Sequence, residues 1–184
     1  MQAALRKRIA ALEHELRRAF EDSQREADAM FAQYQLSQLL ASGGRRSDLA
    51  MAVVAEIVRL CGAAAGALWL SEPGGHVYRR AGATKGHPGS EQDRGPLTQD
   101  DVRSSTGAAD AIILPLGEEP PEGLLALWPT NGAPLDADGV RVVQLSRHEL
   151  AVAFRGAQLR ETLDRERQEL TAIVDGATDA ILQV

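Results

Sequence analysis

A chain of 184 residues, 44% hydrophobic and 25% charged, has the composition of an ordinary globular protein with room for one domain and extended helices, which excludes general disorder. The net charge of -6 argues against nucleic acid as a partner, and no apolar stretch nears the ~20 residues that span a bilayer. The N-terminal MQAALRKRIAALEHEL is charged and helical where a leader would be apolar, so a cytoplasmic location without membrane insertion is expected; Cys61, the sole cysteine, excludes an intrachain disulfide and a cysteine-based zinc cluster.

Residues 3 to 41 hold no Gly or Pro and are rich in Ala, Leu, Glu, Arg and Gln, which predicts one long helix. Leu5, Ile9, Leu12 and Leu16 follow the alternating spacing of a coiled-coil a/d seam. Beyond Leu16 the seam weakens to Ala19, Ser23, Glu26 and Met30, while Phe20, Ala27, Phe31 and Tyr34 make a neighbouring stripe. The contact face is therefore expected to shift from a partner helix to the chain's own domain. Ser42, Gly43 and Gly44 end the helix.

Ser47 is the expected cap of a second helix, with Leu49, Val53, Ile57 and Leu60 on one face and Ala50, Val54, Val58 and Cys61 beside them. AGALWLSE reads as a strand, Pro73 to Gly75 as its turn, and HVYRRAGA as an antiparallel return. From Thr84 to Ala109 the chain is rich in Gly, Ser, Asp and Pro and reads as loop, with a short helix capped by Thr98. DAIILPL and GLLALWP follow as two strands joined by GEEPPEG; their nearly continuous apolar runs predict central strands covered on both faces. Asp136 is the expected cap of a last long helix running to Val174, with Gly139 and Gly156 as weak points. Val143, Leu150 and Phe154 should lie on the sheet. Leu145, Val152, Leu159, Glu166 and Ile173 recur every seven residues and are joined by Leu163 and Leu170, so a seam resumes from Leu159.

This order of elements resembles a GAF domain. LCGAAAGALWL resembles the helix-to-first-strand join of that family, and ILPLGEEPPEGLLALW its late hairpin, over roughly residues 36 to 158. RERQELTAIVDGATDAILQV in turn looks like the linker helix and first strand of a PAS domain. The resemblance implies an α/β (α+β) fold: a central antiparallel sheet with helices packed on one face, flanked by long coiled-coil helices. The division expected is a signalling helix over 1–41, a GAF-like domain over 42–157, an outgoing linker helix over 158–175 and the start of a PAS-like domain over 176–184.

The histidines fit no ligand set: His14 lies on a charged helix face, His76 follows a turn, His87 precedes Pro88 in a loop, and His148 lacks the polar residue and proline that follow a kinase phosphoacceptor. Cys61 sits on the apolar side of its helix, outside the neighbourhood in which bilin-binding GAF domains attach chromophore. Signatures of the GxGxxG, GKS and HExxH kind are missing, so no catalytic residue, metal or cofactor is expected. Trp69, Tyr78, Ile113 and Trp128, with Arg79 or Arg80 at the edge for an anion, are candidates to line a small apolar pocket; ordinary core packing is the competing reading.

The resemblance implies a non-catalytic sensory module of a signalling protein, a histidine kinase first among the candidates. Its partners would be a downstream PAS or output domain and a second copy bound in parallel through Leu5, Ile9, Leu12, Leu16, Leu159, Leu163, Leu170 and Ile173. The alternative is a ligand-free GAF domain that couples and dimerises the parts of a diguanylate cyclase or transcriptional activator, since the crossover 84–109 is shorter than in many ligand-binding GAF domains.

Overall fold

The computed structural model describes residues 2–86, 95–106, 111–130 and 133–182, with side chains before residue 8, at 10 and 11, and after Val174 left out. His87 and the side chain of Leu5 thus lie outside the described residues. The elements are α1 (Gln2–Ala41), α2 (Arg46–Cys61), β1 (Ala65–Ser71), β2 (Tyr78–Ala83), α3 (Gln99–Ser105), β3 (Ile112–Leu116), β4 (Gly123–Trp128) and α4 (Ala137–Leu182).

Each strand is antiparallel to its neighbours in the order β2-β1-β4-β3. The two hairpins, β1–β2 and β3–β4, are joined through the central pair β1 and β4. Residues of even number in β1 face the long helices: Leu68 and Leu70 join Leu125, Leu127, Val53, Ile57, Val143, Leu150 and Phe154 in one core. Odd-numbered residues face the other way, where Trp69 packs with Tyr78, Leu124, Trp128 and Val102 of α3. The three long helices thus hold one face, and the short α3 covers part of the other.

Small residues let α2 lie directly on the hairpin. A Cβ on Gly82 would stand 2.9 Å from the Ala50 carbonyl carbon, and one on Gly66 would stand 2.6 Å from Val58 Cγ2. The helix ends at Gly62, whose left-handed φ of 60° lets Ala63 N–H reach the Val58 carbonyl at 3.0 Å. Asp136 performs its expected role at α4, its Oδ1 accepting from Asp138 N–H at 3.4 Å.

Three expectations are corrected. Ser47 does not cap α2: the helix begins at Arg46, no side chain of the N-cap residue Arg45 bonds to it, and the Arg46 N–H instead donates to Glu161 Oε1 of α4 at 2.7 Å. β3 is not a central strand but an edge, with Ile112 exposed, and there Pro115 is tolerated because an edge strand has one row of backbone groups without a ladder to complete. Finally, α4 continues to Leu182 and no strand follows Val174 within it. A strand needs a neighbour to satisfy its backbone, whereas a helix satisfies its own.

Candidate functional site

On the face away from the long helices, the sheet gathers Trp69, Tyr78, Arg80, Ile113 and Trp128, five of the residues singled out as a pocket lining. Trp69, Tyr78 and Trp128 are buried together, with Ile113 partly buried against them. Arg80 is the cross-strand partner of Trp69 and half-buried, so register places it on the same face.

The polar ends of these aromatics differ. The Tyr78 hydroxyl donates to the Pro121 carbonyl at 3.0 Å, and Trp128 Nε1 to the Thr106 carbonyl at 3.3 Å. Trp69 Nε1 is buried and has no hydrogen-bond partner among the described residues. A buried donor left so is costly, on the order of 1–3 kcal/mol, and would favour any acceptor brought to it. Burial first, and the charge of Glu122 second, push the Tyr78 phenol above its ordinary value. α3 closes the cluster from above: Thr98 and Asp101 form a reciprocal capping box, and the hydrogen bonds from Thr98 hold the Asp101 carboxyl below its usual value.

The second candidate surface is the outer side of the terminal helices. Met30 and Gln33 of α1 lie beside Asp138, Arg141 and Leu145 of α4, Ser37 Oγ donates to Glu149 Oε2 at 3.2 Å, and Gly43 lies by Arg160. Rising numbers on α1 meet rising numbers on α4, so the two helices run parallel. On α1, Ile9, Leu12, Leu16, Phe20, Phe31 and Tyr34 are 47% to 74% exposed. At about 100° per residue they share one face about 100° wide, opposite the fully buried Leu36. The seam and the aromatic stripe seen as neighbours in sequence are thus one stripe on a straight helix, and Met30 and Ser37 mark the flank turned to α4.

On α4, Leu145, Val152, Leu159, Leu163, Leu170 and Ile173 are 57% to 66% exposed, opposite the buried Val143, Leu150 and Phe154. The α1 stripe ends at Tyr34, level with the point where the α4 stripe begins at Leu145. The two run end to end along one side of the molecule.

The histidines stand apart from both surfaces' apolar positions: His14, His76 and His148 are exposed on the outside of the molecule. Cys61 is buried in the main core, where desolvation raises its thiol to about 11. Among the described residues, no three His, Cys, Asp or Glu side chains converge as a metal-binding group would require, and no helix is long and apolar enough to cross a membrane. Sequence reasoning missed Glu122, Arg155, Glu161 and Arg46, which join α4 to the sheet; long-range ion pairs leave no periodic signal.

By sequence, no family model and no curated protein matches the chain. Solved structures do match by fold. A sensor histidine kinase GAF domain from Pseudomonas syringae pv. tomato is similar at 20% identity and TM-score 0.54, covering 79% of this chain and 99% of that one. The GAF domain of a phosphoenolpyruvate-protein phosphotransferase from Coxiella burnetii is similar at 11% identity and TM-score 0.54, covering 73% and 96%. The phycoerythrobilin-bound GAF domain of a cyanobacterial phytochrome is similar at 14% identity and TM-score 0.51, covering 72% and 97%. The fold is therefore a GAF-like α+β domain between long N- and C-terminal helices.

Proposed function

We propose that this chain is a non-catalytic sensory and dimerisation module, which forms a parallel homodimer and relays a change in its GAF-like domain through α4 to an output domain further along the parent protein. The observation that carries this reading is the pair of exposed apolar stripes lying end to end on parallel helices. A chain that enters at one end of the domain and leaves at the other, with a sticky line along the whole path, is suited to conduct a signal lengthwise.

The occupant proposed for the stripes is a second copy. Twelve large apolar side chains of α1 and α4 are more than two-fifths exposed on this side. Were each to cover on the order of 100 Å², about 1,200 Å² would be buried per copy, above the ~800 Å² per partner of a stable complex. A second copy related by a two-fold axis supplies the same stripe in the same direction, as a parallel bundle requires.

The Trp69 face is the place for a small ligand with a hydrogen-bond acceptor, with Tyr78, Arg80, Ile113 and Trp128 around it. The output domain is proposed to be a histidine kinase, with a PAS-like unit beginning near residue 176; a diguanylate cyclase or a transcriptional activator is the alternative, with the GAF-like domain then a ligand-free coupler. Native mass spectrometry of the purified protein separates sensing from plain coupling by the presence or absence of a retained small molecule. Sedimentation at tens of micromolar tests the dimer: wild type should be dimeric, and Leu12→Glu with Leu163→Glu should leave a folded monomer. A monomeric wild type would sink the proposal.

A further inference from the structure

The domain grips α4 at three points, all at one end of the sheet. Gly117, with a left-handed φ of 85°, opens the β3–β4 turn, and a Cβ there would stand 3.1 Å from the Ala151 Cβ. One turn along α4, Arg155 donates through Nε to Glu122 Oε1 at 2.9 Å and pairs with the same oxygen through its terminal amino group. Further along, Glu161 accepts the Arg46 N–H at 2.7 Å, while the Arg46 guanidinium donates to the Ser71 carbonyl at 2.6 Å. Burial pushes the Arg46 guanidinium below its ordinary value, and Glu161, Glu122 and Glu72 oppose that push.

Glu122 is the centre of this junction. Its N–H donates to the Leu116 carbonyl at 2.9 Å and its carbonyl accepts the Ser71 N–H at 2.9 Å, so its backbone cannot move apart from β1 and β3. Its neighbour Pro121 accepts the hydroxyl of Tyr78, which belongs to the aromatic cluster on the opposite face of the sheet. A side chain of the candidate ligand face and a side chain of α4 therefore hold adjacent residues of a single turn. The remaining contacts of α4 with the sheet, through Val143, Leu150 and Phe154, are apolar and non-directional. Within that packing, the contacts that have direction, at Arg155 and Glu161, set the phase of α4 at this end of the sheet.

We infer that Tyr78, Pro121, Glu122 and Arg155 form one mechanical connection through which packing on the Trp69 face sets the rotation of α4, and with it the seam at Val152, Leu159 and Leu163. Tyr78 and Arg155 are positioning residues in this connection. The Arg155 side chain is 65% exposed, so its ion pair contributes little to stability and its effect is on geometry. The inference rests on the parallel dimer proposed above.

The test uses the 184-residue chain with a cysteine placed at Leu12 of the α1 stripe or at Leu163 of the α4 seam, and reads the rate of disulfide cross-linking between copies. The native Cys61 is buried with its thiol raised to about 11, so it stays silent. Both introduced cysteines should cross-link in the parent. Tyr78→Phe should change the rate at position 163 by threefold or more and leave position 12 unaltered, and with Arg155→Gln already present it should add nothing. Glu122→Gln, nearly isosteric and still able to accept from Arg155, should reproduce the effect through loss of the charge and serves if Tyr78→Phe fails to fold. An unchanged rate at 163, or the same change persisting beside Arg155→Gln, overturns the connection. No cross-linking of the parent at either position removes the dimer, and this inference with it.

Discussion

The two halves of α4 are one helix made for two different reasons. Up to Ala157 it is a core element, with Val142, Val143, Leu150, Ala151, Phe154 and Ala157 buried. From Leu159 to Val174 every residue is exposed. The first half tolerates a poor helix former, Gly139, because it lies against α2: a Cβ there would sit 2.2 Å from the Leu60 carbonyl oxygen. Beyond the Glu161 contact with Arg46, the second half has only propensity to hold it, and a free helix of ~15 residues is marginal in water. Tertiary packing dictates the first half, whereas the second is finished by whatever covers its stripe.

The contrast is broken most forcefully at Phe154, which is buried in the main core. Phe154→Ala should lower the unfolding free energy by about 3–5 kcal/mol, measured by urea titration. A loss under 1 kcal/mol would mean that the first half is no more anchored than the second.

Next in size is Gly139→Ala. The usual gain from replacing a helical glycine, ~1 kcal/mol, should be outweighed by the overlap with Leu60, for a net loss of about 1–3 kcal/mol. The same substitution at Gly156 should have the opposite sign. Nothing lies within 4 Å of a Cβ at that position, so Gly156→Ala should stabilise by about 0.5–1 kcal/mol and raise Tm by about 2–4 °C. Calorimetry of the two variants side by side sharpens the comparison. A destabilised Gly156→Ala would indicate that a partner's backbone presses on residue 156 in the dimer.

What could be read from the sequence was whatever repeats or sits next to its cause. The hairpin at Pro73 to Gly75, the Thr98 cap with Asp101 three residues on, and the core face through Val143, Leu150 and Phe154 are all local patterns. Trp69, Tyr78 and Trp128 were legible as strand residues, but their meeting depends on β1 pairing with β4 across a gap of about fifty residues, which alternation does not encode. The edge position of β3 was misread because its apolar run resembles that of β4. Partner strands, and not composition, decide which of two such runs is central. The merging of the two α1 stripes was hidden by the seven-residue frame, since a straight helix drifts about 20° per heptad against it. The contacts of Tyr78 with Pro121 and of Glu122 with Arg155 join residues that only the finished fold brings together.

The capping of α2 by Glu161 bears on synthesis. The first N–H groups of a helix need acceptors from outside it, and here one acceptor comes from 115 residues downstream. A chain growing from its N-terminus makes α2 early, but the first turn of that helix can be sealed only when the third turn past Leu150 has been added. Until then a nascent domain has β1 and β4 to pair but an unfinished edge where Arg46 and Ser71 meet. Truncation anywhere before Glu161 should therefore leave its mark at the opposite end of the domain's sequence, as faster amide hydrogen exchange at the start of α2.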